Sequence, residues 1–377
     1  MTSQTESPKL GASSISEHAP RRSLIDLLKN WELLLFVLIV GVVLVNSNLS
    51  PYFLNAQNLS RTSSDFMEIG LMMLPMVFIV ITGNIDLSVA SNMGMSASFM
   101  GLLHNMGVNI WLAALAGLAL GTLGGVLNGY LISKVKLPSL VVTLGTYAFF
   151  RGIAYGFLGD QAARNYPSAF TFLGQGRVGD SLIPVSAAIF IGMAIIFGLV
   201  LHCTKFGRQL YAIGNNENAA RYSGVPIGKI KFLIFVLSGL ISAFAGLVLA
   251  ARFGSTRPDN GTGLELAVIT ATVLGGVDIN GGKGTMYGAI LSLLLIGLLR
   301  FGMGLLNIQS QVQSTVIGLL LIISIFLPHI GQQIAQSKTS RFRWKTLLIV
   351  LGVLVIFAAF IAFFIWSRIP VLQDIYG

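Results

Sequence analysis

The chain has 377 residues, 54% hydrophobic and only 10% charged, with a mean hydropathy of +0.80. Soluble domains carry about 25% charged residues, so this surface is not built to face water on all sides. A single cysteine, Cys203, excludes an intrachain disulfide framework and a multi-cysteine metal site, and the net charge of +10 rests on so few groups that it reads as membrane topology rather than nucleic-acid binding.

Residues 1–30 read as a disordered cytoplasmic tail, rich in Ser with Pro8 and Pro20, and without the apolar stretch of a cleavable signal. A bilayer core of about 30 Å takes about 20 apolar residues as helix. On that measure, spans are predicted within 33–60, 66–82, 138–158, 183–201, 232–251, 285–299, 311–327 and 346–366. The interval 87–133 holds no Asp, Glu, Lys or Arg and is too long for one helix; the polar break at His104–Asn109 divides it in two. Residues 264–275 form one more apolar piece, too short to cross unaided. The expectation is an all-α polytopic membrane protein with about eleven apolar segments: a transmembrane domain over 31–330, then a linker and an additional helix over 331–377.

The basic residues orient these spans. With the N-terminus inside and strict alternation, the inner segments hold 16 of the 24 Lys and Arg. They include every lysine beyond the tail: Lys134, Lys136, Lys205, Lys229, Lys231, Lys283, Lys338 and Lys345. Inner loops are enriched in Lys and Arg, so this orientation is the expected one.

Within the spans, Gly117, Gly121, Gly125 and Gly129 recur every four residues. That stripe lets a neighbouring helix backbone approach closely; close packing is one reading, a helix beside a solute pathway the other. Asp86 follows Gly83 and Asn84 and precedes Ser88, at a predicted membrane interface, where a carboxylate can cap the next helix. The run from Gly275 and Gly276 to Asp278 and Asn280 repeats the same pattern. Alternation places both motifs on one face, whereas an inverted duplication would need opposite faces. Glu68 is the carboxylate best placed to sit inside a helix.

The glycine-rich loop after Asp278 is not a phosphate-binding P-loop. Val277 stands where the first glycine is required, and Gly284 follows Lys283 where Ser or Thr is required. The four histidines share no metal-ligand spacing, and no hydrolase or metalloprotease motif is present. The long polar inner segment 202–231 is more informative. Asn215 or Asn216 can cap a short helix through Ser223, which Gly224 and Pro226 would end. Such a helix would either dock a soluble partner or lie on anionic lipid.

Four blocks then fall in a consistent order: GNIDLSVAS at 83–91, NGYLISKVKLPSLVVTLGTYAFFRGIAY at 128–155, FGRQLYAIGNNENAARYSGV at 206–225 and TATVLGGVDINGGKGTMYGAI at 270–290. Together they resemble the ribose-type sugar permeases of bacterial ABC importers, the group that includes ribose, rhamnose and autoinducer-2 permeases. The resemblance implies about ten transmembrane helices in a vitamin-B12-importer-like (type II) arrangement, with 346–366 as one extra helix. It also implies a second permease subunit, identical or homologous, two ABC ATPase subunits that use ATP and Mg, and a periplasmic sugar-binding protein. The chain would sit multi-pass in the inner membrane, in contact with lipid, with no cofactor, metal or nucleic acid of its own and no enzymatic activity. Asn215, Asn216, Glu217, Asn218, Ala219, Ala220, Arg221, Ser223 and Gly224 would form the coupling helix that meets the ATPase. Asn84, Asp86, Ser88, Asn92 and Asn280 are the side chains expected along the solute pathway. The alternative reading is an ion-coupled secondary transporter, with Glu68 as its buried carboxylate.

Overall fold

The computed structural model describes residues 31–322; the N-terminal tail and the predicted 346–366 helix lie outside them. The described residues are helical, joined by short loops and two isolated bridges, Ala163 with Thr256 and Arg177 with Pro184. The helices are α1 (Trp31–Leu49), α2 (Ala56–Asp65), α3 (Met67–Ile81), α4 (Val89–Asn105), α5 (Ile110–Ser133), α6 (Ser139–Leu158) and α7 (Ser168–Gln175). There follow α8 (Val185–Cys203), α9 (Lys205–Asn215), α10 (Glu217–Tyr222), α11 (Ile227–Phe253), α12 (Leu264–Leu274), α13 (Met286–Leu305) and α14 (Ser310–Ile322).

The breaks between helices follow side-chain chemistry. Asn55, Asn109, Thr204, Asn216 and Thr285 each accept a backbone N–H from the first turn that follows them. Those N–H groups have no carbonyl partner within the helix, so a short polar side chain fixes the start. Pro138, Pro167, Pro184 and Pro226 stand immediately before α6, α7, α8 and α11, where a missing N–H costs nothing. The division of 87–133 falls where the polar break predicts it, between Asn105 and Ile110.

Six of these helices are long and apolar enough to cross a membrane: α1, α5, α6, α8, α11 and α13. A seventh crossing results if α2 and α3, bent by 49°, count as one span. The described residues therefore form an all-helical bundle of a polytopic membrane protein. At 11 residues α12 reaches only ~16 Å, about half a bilayer core, as its length in the sequence implies. Two helices depart from the expectation: α2 forms within what reads as an outer loop, and α7 forms between α6 and α8.

The centre of the bundle is α3. Every one of its 15 residues is buried, with α8, α9, α11, α12 and α13 packed around it. A helix apolar on all sides is satisfied only when enclosed by other helices or by lipid. Gly70 permits the closest approach here, since a Cβ there would come within 2.7 Å of Leu293 and Phe190. By contrast, α1 buries only Leu35, Ile39 and Asn46 and leaves the rest of its apolar surface outward. Its start is tied to the bundle by the Trp31 indole N–H, which donates to the Leu274 carbonyl at 2.7 Å.

Candidate functional site

The segment between α8 and α11 folds into two consecutive helices. Thr204 caps α9, whose Gly207, Leu210 and Ile213 form a buried face. Three apolar residues three apart share one side of a helix, so α9 lies along the end of the bundle. Asn216 ends α9 and caps α10 through Oδ1, which accepts the Ala219 N–H at 3.0 Å. Gly224 then takes a φ of +79°, a conformation that costs glycine little, and Pro226 precedes α11.

Only Ala220 of α10 is buried. Asn215, Asn216, Asn218, Ala219, Arg221, Ser223 and Gly224 are exposed, and Tyr222 is 92% exposed. Glu217 is fixed from two sides: Lys231 Nζ of α11 donates to it at 2.8 Å and Arg221 at 3.3 Å. The Lys231 hydrogen bond holds its carboxyl below the usual carboxylate range. The result is a polar shelf with the exposed Tyr222 ring at its edge.

This shelf meets the bundle closely at glycine backbone, with the Tyr211 hydroxyl and the Lys231–Glu217 pair as side-chain links. The C-terminal turn of α3, the end of α9 and the loop from α12 to α13 meet at glycines. Gly282 N–H donates to the Ile81 carbonyl at 2.8 Å, and the Tyr211 hydroxyl donates to the Gly284 carbonyl at 2.7 Å. A Cβ on Gly214 would collide with the Ile81 carbonyl and the Gly282 nitrogen. The backbone at Gly83, Gly281 and Gly282 has positive φ. The two similar motifs around Asp86 and Asp278 thus come together at one end of the molecule, the end that carries α9 and α10. Asn280 is exposed there and turned locally onto Asp278 Oδ1 by its own N–H at 3.0 Å.

Deeper in the bundle, Asp86 is 3% exposed and no cation pairs with it among the described residues. The expected contact with the start of the next helix forms, but enclosed by other helices. Oδ1 accepts the Ser88 N–H at 2.9 Å and the Ser88 hydroxyl at 2.6 Å, and Oδ2 accepts the Ser238 hydroxyl at 2.8 Å. Ser88 in turn accepts from the Asn128 amide at 2.8 Å. One polar chain therefore crosses the break between α3 and α4 and reaches α5 and α11. Asn92 donates to the carbonyls of Gly121 and Gly239, while Asn84 donates to Thr82. Asn84, Asp86, Ser88 and Asn92 are all buried, so the side chains expected along a pathway meet a closed interior in this conformation.

The glycine stripe of α5 faces α4 and α11. A Cβ at Gly117 would lie 2.8 Å from the Ser96 carbonyl, at Gly125 2.6 Å from the Phe235 carbonyl and at Gly129 2.9 Å from the Phe232 carbonyl. At Gly121 it would meet the Ser96 hydroxyl and, at 2.5 Å, Ala243.

At the opposite end the contacts are ionic. Arg252, in the last turn of α11, donates to Glu68 at 2.8 Å and to Asp65 at 2.6 Å. Glu68 is 1% exposed, so the carboxylate that an ion-coupled transporter would use is engaged by an arginine. Arg151 of α6 donates to the carbonyls of Pro258 and Asn260 and pins the loop before α12. In that region the Tyr166 hydroxyl donates to Thr256, and burial pushes its phenol up to about 12. No group of three or more His, Cys, Asp or Glu among the described residues could hold a metal ion.

Sequence reasoning placed the α10 region and Asp86 but missed α9, Lys231, Ser238, Asn128 and Arg252. Serine and asparagine inside otherwise apolar spans were the available signal, because polar groups at membrane depth need partners.

The family described as branched-chain amino acid transport system / permease component matches residues 58–325. The chain is 35% identical to the autoinducer 2 import system permease protein LsrD of Escherichia coli K12 over 321 residues, covering 83% of this chain and 95% of that protein. The LsrD proteins of Photorhabdus temperata and Klebsiella pneumoniae are likewise 35% identical, over 82% and 78% of this chain and 92% and 90% of theirs. No solved structure matches significantly.

Proposed function

This chain belongs to the permease-component family of branched-chain amino acid transport systems, and from that premise we propose that it forms the membrane pathway of an ABC importer for a sugar-like solute. The solute would be of the ribose, rhamnose or autoinducer-2 type, the last being what the LsrD relatives are named for. Two ATPase subunits would supply the energy, a second permease subunit would complete the pathway, and a periplasmic binding protein would deliver the solute. About ten spans in the type II arrangement, with the N-terminus in the cytoplasm, complete the reading.

The observation that carries it is the shelf of α9 and α10. It is polar, exposed and capped at both ends, yet its base is locked to α3 and the α12–α13 loop through glycine backbone. A partner that pushes on α10 therefore moves the α3–α4 break and the α12–α13 loop with it. Asn84, Asp86, Ser88 and Asn92 surround that break or follow it, so their opening onto a pathway would be the transport step, with Asn280 at the inner mouth. The gathering of Lys205, Arg208, Lys229, Lys231 and Lys283 at the same end supports its placement in the cytoplasm.

The test is to replace residues 216–223 with a Gly-Ser linker in the full transporter. Loss of both ATPase co-purification and uptake, with the permease still folded, is the expected result. Retention of ATP-dependent uptake by that variant would overturn the reading, as would gradient-driven uptake by the wild-type chain alone without ATP.

A further inference from the structure

Arg300 lies on α13 about 21 Å beyond Met286, and therefore at the end of the bundle opposite α9. It is partly buried, and its enclosed Nε–H has no hydrogen-bond partner among the described residues. Among the described residues no carboxylate pairs with it, in contrast to Arg252 at the same end. A guanidinium does not release its proton at any physiological pH, so burial cannot be relieved by neutralisation. Only Nε is shut off from solvent, so the Nη groups remain free to meet an anion, and enclosing this charge is costly until one does.

The surroundings of Arg300 offer space for that anion. It borders a cavity of about 340 Å³ together with Thr62, Asp65, Phe66, Phe301 and Gln313. Asp65 turns its Oδ1 to Arg252 at 2.6 Å, an arginine it shares with Glu68, and so remains a carboxylate on the rim of the cavity. Gly304, also on the wall, has open space where a Cβ would stand. The cavity thus presents the Arg300 cation, unpaired among the described residues, and two neutral hydrogen-bonding side chains, the Thr62 hydroxyl and the Gln313 amide, with the Asp65 carboxylate directed to Arg252 at its rim.

We propose that this cavity binds an oxyanion, a phosphate or carboxylate group, with Arg300 as its charge partner and Thr62 and Gln313 as additional donors. The planar guanidinium suits such a group because two N–H bonds can reach two oxygens at once. The oxyanion can come from the membrane, as the phosphodiester of an anionic phospholipid, or from solution as a free anion. The site is separate from the α9–α10 shelf and does not depend on the transport reading.

The experiment uses the full-length chain in phosphatidylcholine nanodiscs with two probes. Phosphatidylglycerol retention is read by native mass spectrometry, and inorganic phosphate by the shift in thermal unfolding. One of the two probes binds the wild type; Arg300→Gln weakens it by about tenfold or more, and Arg300→Lys by less. Gln313→Ala and Thr62→Ala leave the charge in place and weaken binding a few-fold, which keeps the test informative if Arg300→Gln folds poorly. Binding of phosphatidylglycerol alone assigns the lipid source, and binding of inorganic phosphate assigns the soluble one. Equal binding by wild type and Arg300→Gln overturns the proposal. So does the absence of binding of both probes, including the case in which only an added soluble protein shields Arg300.

Discussion

The two ends of this bundle are held together by different physics. At the α9–α10 end, three chain segments meet at glycine backbone, through the Gly282–Ile81 main-chain hydrogen bond and the Tyr211 hydroxyl, and most charged groups face outward, Lys231 excepted. At the other end, α2, α3 and α11 meet through one arginine shared by two carboxylates, one of them completely enclosed. Glycine contacts are short-range and stiff, since atoms already in contact cannot approach further. An ion pair tolerates more displacement because its energy falls off slowly with distance. A shelf that must transmit a push benefits from the first kind of joint, and an end that must open to solute while holding together benefits from the second.

The largest way to break this comparison is to remove the cation of the ionic end. Arg252→Ala leaves Glu68 buried without a partner, and breaking such a pair costs about 3–5 kcal/mol. Thermal unfolding in detergent should fall accordingly, and Glu68→Gln in the same chain should restore part of the loss. An Arg252→Ala chain as stable as wild type would remove the ionic joint from the comparison.

Gly214→Val tests the backbone joint. Its side chain would meet the Ile81 carbonyl and the Gly282 nitrogen, an overpacking of about 1–3 kcal/mol. Because the strain falls between α9 and α3, uptake should drop more than ATPase co-purification. Equal loss of both would mean that the joint supports folding and does not transmit motion. Between the two ends, Asp86→Asn exchanges charge-assisted for neutral hydrogen bonds from Ser88 and Ser238. The expected loss is about 1 kcal/mol, read as a lower unfolding temperature. No loss would show that Asp86 is held neutral in the folded chain.

Much of this architecture is legible in the sequence because the helix boundaries are written locally. Asn109, Asn216, Thr285 and Pro226 mark starts by their own chemistry, whatever lies elsewhere in the chain. The same holds for α10, whose cap and terminating Gly224 sit within a few residues of each other. The α9 helix is harder to see, since its buried face rests on only Gly207, Leu210 and Ile213, and a glycine adds nothing to a hydrophobic pattern. The partners of Asp86 are not legible at all. Ser238 is 152 positions away, and Asn128 reaches the cluster only through Ser88, 40 positions from it. Nothing local links those residues; packing of α5 and α11 across the break brings them together. The expected pathway residues share this limit, because burial depends on which helices enclose them.

The smallest expected effect concerns Glu217, and it separates the shelf's surface charge from its backbone base. Lys231 and Arg221 hold the Glu217 carboxyl below the usual carboxylate range, the Lys231 hydrogen bond contributing most. A depressed folded pKa means that this contact stabilises α10 above the unfolded carboxylate value of about 4.3 and is lost as pH falls through the lower folded value. The group is substantially exposed, so solvent screening limits the contribution to about 0.2–1 kcal/mol. Hydrogen exchange at the amides of Ala220, Arg221 and Tyr222 should therefore be slightly faster in Glu217→Gln than in wild type at neutral pH. The gap should stay constant as pH is lowered to about 5 and close below about 4, where the wild-type carboxylate takes up its proton. A gap that closes between pH 6 and 8 would point to a different titrating group. If the amide protection is instead abolished at every pH, the shelf depends on its ion pairs, and the contrast between a backbone joint and an ionic joint fails at the end where it is drawn most sharply.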